Sequence, residues 1–252
     1  VSFDVQGAVT RYADIAVQMI RTGDVLLPAY NDEIRHFAKP PFTYWAIAGG
    51  IGLLGRNEWG VRLPNAVAFA GTVLLVFALA GTISPARPWL PPLAYATFLL
   101  SYAASNVVTT DTLLAFWETL AVAGFVKSRI STEGRMRKMC LVLMWFGFGA
   151  AFLTKGPPGL LPLLAIVTFV ALSDGGMAVA RLACVAGIAI FAAVGLGWFA
   201  VVAATRPGMA TYFLQEEFVK RIATGGHHRN PQWYGAFAVY VPTLLLGTFP
   251  WT

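Results

Sequence analysis

The sequence predicts an all-α fold, a polytopic bundle of membrane-spanning helices. Composition is the first observation: hydrophobic residues make up 57% of the 252-residue chain and charged residues 12%, with a mean hydropathy of +0.65, far from the mix of a water-soluble domain. The second is that the apolar residues gather into runs approaching the roughly 20 residues a helix needs to cross the hydrocarbon. The third is that charged residues fall between those runs. A net charge of +6 without a basic stretch on a soluble module points to anionic lipid phosphates and to no nucleic acid. Cys140 and Cys184 both sit inside apolar runs without metal-ligand spacing, as small core residues do.

Residues 1–59 read as an outer-face loop with interfacial helices. In TRYADIAVQMIRTGD, Tyr12, Ile15, Ala16, Met19 and Ile20 recur at helical spacing, with Arg11, Asp14, Gln18 and Arg21 on the other side and Gly23 ending the run. Such a helix is expected to lie flat on the membrane, apolar face down. In FAKPPFTYW, residues 37–45, the prolines should leave Lys39 extended and open a helix after it. That helix, within 41–55, is glycine-rich and short for a crossing, so partial immersion is expected.

Residues 60–252 read as a bundle of about seven spans, near 60–83, 88–106, 112–127, 139–154, 158–173, 182–204 and 236–252. The chain starts in a polar stretch and stops in or just after an apolar run, so it is expected to be an excerpt of a longer membrane protein lacking its C-terminal part. The loop KSRISTEGRMRK, 127–138, carries five basic residues and one acid, the pattern of a cytoplasmic loop. Alternation of spans then places 1–59, 107–111, 154–159 and 205–235 on the outer face. Lys39, Asp111, Lys155 and His228 thereby share one compartment.

Each of these has a plainer reading. Lys39 in KPP could be a solvated lysine in a turn, and Arg11 a solvated interfacial charge. Lys155, in TKGPPG, complements the carbonyl end of its own helix as readily as it binds a ligand. GGHHRNPQWY, 225–234, brings His227, His228 and Arg229 together, which suggests a polar site or a metal ligand, yet without the partners or spacing of a zinc site. No metal site is assigned.

Taken in order, RYADIAVQMIRTGDVLLPAYN, FAKPPFTYW, EWGVRLPNA, TTDTLLAFWETL, LTKGPPGLL, HHRNPQWY and GTFPW resemble the bacterial polyprenyl-phosphate-sugar glycosyltransferases of the aminoarabinose transferase and protein mannosyltransferase type, with the GT-C fold. The similarity runs through essentially the whole chain. It implies an enzyme of the bacterial inner membrane, active face outward, that moves a sugar from a polyprenyl-phosphate donor to an unidentified acceptor. Arg11, Lys39 and Lys155 match family positions that face the carrier phosphate, where fixed cations would stabilise the charge growing on the leaving group. Asp111 matches an acid at the start of a span. His228 matches a last-loop histidine that in relatives can help hold a divalent metal, and the neighbouring Arg229 joins it as a candidate binding residue.

Two departures accompany the resemblance. Family members place an Asp-Glu pair before Thr/Ser-Arg-Tyr-Ala, the aspartate being the general base for the acceptor hydroxyl; here Ala8 and Val9 stand there. Ala38 replaces a glutamate that precedes the lysine in close relatives of the aminoarabinose enzyme. The base is thus left to Asp4, Asp111 or a residue outside this sequence. Two other readings stay open: a non-catalytic relative serving as a membrane scaffold or accessory subunit with a lipid-phosphate site, and a transporter. A transporter should carry ionisable groups near mid-bilayer, where Glu118 is the main exception to a pattern of charges at span ends.

Overall fold

A computed structural model describes residues 8–30, 34–35, 39–206, 232 and 234–252; Asp4, His228 and Arg229 lie outside the described residues. Helix α1 (Ala8–Thr22) carries the apolar stripe read from the sequence, but the stripe meets protein. Tyr12, Ile15, Ala16 and Met19 are buried in one cluster with Tyr44, Ile47 and Ile51 of α2 (Phe42–Leu54) and with Val61 and Val108. The expectation of a face laid down on lipid is corrected accordingly. An equally apolar neighbour supplies close-packed contacts, and only Ile20 at the edge of the stripe stays half-exposed. Gly23, at φ 71°, ends α1 by donating its N–H to the Met19 carbonyl at 3.0 Å, a left-handed cap that a residue with a Cβ adopts at a cost. Between α1 and α2, β1 (Ala29–Tyr30) and β2 (Ile34–Arg35) pair antiparallel, Ala29 opposite Arg35.

Pro41 is the N-cap of α2, as the KPP motif foretold. The turn into α3 (Glu58–Ile83) is capped by Asn57, which accepts the Gly60 N–H at 3.0 Å. At 26 residues α3 is about 39 Å long. Among the described residues, four helical stretches are long and apolar enough to cross a membrane: Glu58–Ile83, Gly134–Lys155, Pro157–Asp174 and Val185–Thr205.

The run at 88–106 is not one helix. It divides into α4 (Leu90–Thr97) and α5 (Leu99–Asn106) at Phe98, whose ψ of 128° is extended. The backbone N–H freed by the break is met from the segment after α12, where Leu99 donates to the Phe249 carbonyl at 3.2 Å; beside it Trp251 donates its indole N–H to the Thr97 side-chain Oγ1 at 2.7 Å. This is how a break in an apolar stretch keeps its backbone satisfied.

Helices α6 (Asp111–Ile130) and α7 (Gly134–Lys155) form the antiparallel centre of the bundle. They touch backbone to backbone. A Cβ on Gly124 would fall 2.8 Å from the Cys140 carbonyl oxygen, and one on Gly147 would fall 2.8 Å from the Ala121 nitrogen. Small residues permit the approach, as in other membrane helix pairs. A 3₁₀ turn (Pro157–Leu160) leads into α8 (Leu161–Asp174), followed by α9 (Gly176–Val179). The stretch Val185–Thr205 comprises α10 (Val185–Phe191), a π-helical turn (Ala192–Leu196) and α11 (Gly197–Thr205). The last described helix, α12 (Gly235–Gly247), ends short of the expected limit at 252, its tail turning back onto α4 and α5.

Candidate functional site

Antiparallel packing brings the start of α6 beside the end of α7. Asp111 lies in the first turn of α6 and Lys155 in the last turn of α7, so each charge complements its own helix dipole. Each also reaches the other: Lys155 Nζ donates to the Asp111 carboxylate. The approach to α6 is pinned from two sides. Arg62 and Asn65 of α3 donate to the carbonyls of Asn106 and Val107 at 2.7 and 2.8 Å, and Thr112 Oγ1 donates to the Ala104 carbonyl at 3.0 Å. Val108, on the same approach, is fully buried among Tyr12, Tyr44 and Ile47.

Lys39 enters from the other direction. Its Nζ donates to the Tyr12 hydroxyl and lies 5.0 Å from the centroid of that ring, nearer the phenolic end than the π face. Tyr12 stacks on Tyr44 with centroids 5.6 Å apart. Burial, and secondarily the neighbouring Tyr12, raise the Tyr44 phenol above its ordinary pKa, while the charge of Arg11 opposes the rise. Arg11 itself is exposed.

Among the described residues, packing links the two charged groups. Phe42, three residues after Lys39, meets Trp117 of α6 edge-on at 5.4 Å and packs in one cluster with Leu153 of α7, Leu27 and Trp198. Four separate segments therefore deliver Arg11, Lys39, Asp111 and Lys155 to one end of the bundle. Lys155 and Asp111 meet directly. Lys39 binds the Tyr12 hydroxyl, and the charge of Arg11 reaches Tyr44, on which Tyr12 stacks.

Sequence reasoning missed a feature of this end. Among the described residues, four buried side-chain polar atoms have no hydrogen-bond partner: Thr43 Oγ1, Tyr44 OH, Thr110 Oγ1 and Trp117 Nε1. All belong to the first turn of α2 or to the N-cap and first two turns of α6. A buried unsatisfied group costs about 1–3 kcal/mol, and such atoms are uncommon enough that their gathering beside the charges marks a polar region. The one signal in the sequence was the run of polar and aromatic residues directly after KPP and around Asp111. The charge of Lys155 also reaches Glu118, one turn beyond Leu114 on α6.

No group of three His, Cys, Asp or Glu among the described residues is placed to hold a metal ion. Asp111, the acid nearest the candidate cations, is engaged by Lys155.

The family described as dolichyl-phosphate-mannose-protein mannosyltransferase matches residues 38–200. Over 248 residues the chain is 34% identical to the undecaprenyl phosphate-alpha-4-amino-4-deoxy-L-arabinose arabinosyl transferase of Pectobacterium carotovorum subsp. carotovorum (strain PC1), and 29% identical to the protein of the same name from Edwardsiella ictaluri (strain 93-146). In both cases the match covers 96% of this chain and 43% of the relative, so the chain spans less than half the length of these proteins. The crystal structure of ArnT from Cupriavidus metallidurans bound to undecaprenyl phosphate superposes with a TM-score of 0.81 at 25% identity, over 98% of this chain and 45% of that one. The apo structure of the same protein gives 0.82 at 24% identity, over 98% and 44%.

Proposed function

The chain belongs to the dolichyl-phosphate-mannose-protein mannosyltransferase family, and from that premise we propose that it supplies the donor-phosphate side of a membrane glycosyltransferase. In this reading a sugar passes from a polyprenyl-phosphate carrier to an acceptor at the outer face of the bacterial plasma membrane. The observation that carries it is the convergence of lysines from two segments on one end of the bundle, beside buried polar atoms that lack partners. The undecaprenyl phosphate bound by the similarly folded ArnT supports a carrier of that chemistry.

Transfer joins an acceptor oxygen to the anomeric carbon as the bond from that carbon to the carrier phosphate breaks. The electron pair of the broken bond leaves with the phosphate, and the acceptor proton goes to a base. Lys39 and Lys155, with Arg11 at the rim, would stabilise the departing phosphate at the moment its charge grows. The Tyr12 hydroxyl orients Lys39. Asp111 either takes the acceptor proton or holds Lys155 in place until the phosphate arrives; its ion pair accommodates both. Asp4 is the other candidate base, and His228 with Arg229 would contact the donor from the last outer loop.

The test is binding of undecaprenyl phosphate against undecaprenol by the whole protein and its Lys39→Met variant. Loss of one charge-assisted contact should weaken the phosphate-bearing lipid by about 1.5–3 kcal/mol, with little change for the alcohol. An equal loss for both lipids would return Lys39 to a structural role. Wild-type protein that binds the phosphate but transfers no sugar, and gains transfer with Ala8→Asp, would favour the non-catalytic relative.

A further inference from the structure

We propose that the opposite end of the bundle holds an anionic phospholipid, its phosphate in a recess flanked by Arg137 and Arg181 and an acyl chain in the groove between α6 and α8. The recess, about 190 Å³, lies where the end of α6, the start of α7, the end of α8 and the segment after α9 meet. Its charged walls are Arg129, Arg137, Arg181 and Asp174, with Ser128 and Ser131 beside them. Arg129 is engaged by Asp174 in a fork, one guanidinium nitrogen to each carboxylate oxygen, the longer contact at 3.2 Å. Asp174 also lies within electrostatic reach of Arg181. Three arginines against one aspartate leave a surplus of two positive charges, and no second acid lines the recess. Paired guanidinium groups suit a phosphate, whose oxygens accept two parallel N–H bonds from each fork.

Arg129 borders a second cavity as well. This groove, about 460 Å³, runs between α6 and α8 and is walled by apolar side chains such as Val126, Ile130, Ile166 and Phe169, with Arg129 its one charged lining residue. A soluble anion would use the recess alone. A ligand that joins an anionic group to a hydrocarbon chain uses both, and a phospholipid has that construction. Depth agrees: α7, long and apolar enough to cross a membrane, covers about 33 Å with its 22 residues, close to the thickness of the hydrocarbon core, and α6 runs antiparallel beside it. With Asp111 at one interface, Arg129 falls at the other, where anionic headgroups attract basic residues.

The inference stands apart from the donor-phosphate reading, since none of these residues lies at the Lys39 and Lys155 end. Native mass spectrometry of the whole protein should show preferential retention of dioleoyl phosphatidylglycerol over dioleoyl phosphatidylcholine. Arg137→Gln with Arg181→Gln should lower that preference by about fivefold for each arginine removed. Arg135→Gln with Lys138→Gln, which lie on a separate apolar groove along α7, should leave most of it. Both arginines of the recess are exposed, and an unchanged melting temperature separates lost binding from lost folding. Ala165→Phe, filling the groove at an exposed position, should reduce phosphatidylglycerol retention several-fold while leaving competition by inorganic phosphate unchanged. Equal retention of the two lipids, or a preference that survives the double arginine substitution, overturns the proposal. So does full displacement by inorganic phosphate combined with indifference to Ala165→Phe, which would make the recess a soluble-anion site.

Discussion

Helix α6 has a cation paired with an aspartate near each end, yet the two pairs sit in different surroundings. At its start, Lys155 meets Asp111 beside the buried Tyr12–Tyr44 stack and the unpartnered atoms of Thr110 and Trp117. At its end, Arg129 meets Asp174 with about the same exposure as the first pair, but with Arg137 and Arg181 exposed around it. The contrast teaches that the pairing itself says little, since partly exposed ion pairs contribute only about 0–1 kcal/mol. What distinguishes the first end is buried polarity lacking partners, which a bound polar group would relieve. The second end offers charge in excess next to an apolar groove, and its pull on a ligand should fade as salt is raised.

The comparison breaks most completely if the two ends do not face opposite sides of the membrane. In a background with Cys140 and Cys184 replaced by alanine, Tyr30→Cys and Arg229→Cys should react with an impermeant thiol reagent added outside, whereas Thr132→Cys should be labelled only after lysis. The reversed pattern removes the outer-face assignment. Next in size is Asp111→Asn. If Asp111 is the base, turnover should fall by about 10²–10⁴-fold while carrier binding stays nearly level; a change confined to carrier affinity would make it the counter-ion of Lys155. The smallest effect is expected for Tyr12→Phe, which keeps the ring stack and deletes the hydroxyl that receives Lys39. A loss of about 0.5–1.5 kcal/mol in undecaprenyl phosphate binding is expected, and no change at all would leave Lys39 oriented by something other than Tyr12.

Much of the frame was readable from apolar run lengths: the run expected at 60–83 lies within Glu58–Ile83, and the one at 158–173 within Pro157–Asp174. The break at Phe98 was not, because no glycine or proline marks it. The partners at the break, Phe249 and Trp251, come more than 140 residues later, and periodicity carries no such information. The stripe on α1 was legible as a stripe but not as to its partner, since apolar side chains pack on lipid or on protein with the same pattern. At the candidate site, KPP and TKGPPG drew attention to Lys39 and Lys155 through their spacing against proline. The pairing of Lys155 with Asp111 follows only once α6 and α7, at 20 and 22 residues, are seen as an antiparallel hairpin of matched length. Tyr12 was hidden by its own ambiguity, for its ring belongs to the apolar stripe while its hydroxyl serves the lysine.

The glycine contacts between α6 and α7 also act mechanically. A slide of one turn along α7 would bring Leu143 and Met144, or Ala150 and Ala151, to the place of Gly147, against backbone atoms of Trp117 and Ala121 that already leave no room for a single Cβ. Axial slippage is therefore blocked, and the hairpin behaves as a strut of fixed register. Any signal exchanged between the two faces of the membrane along this pair must travel as tilt or rotation of the whole strut, because its two rails cannot move past one another.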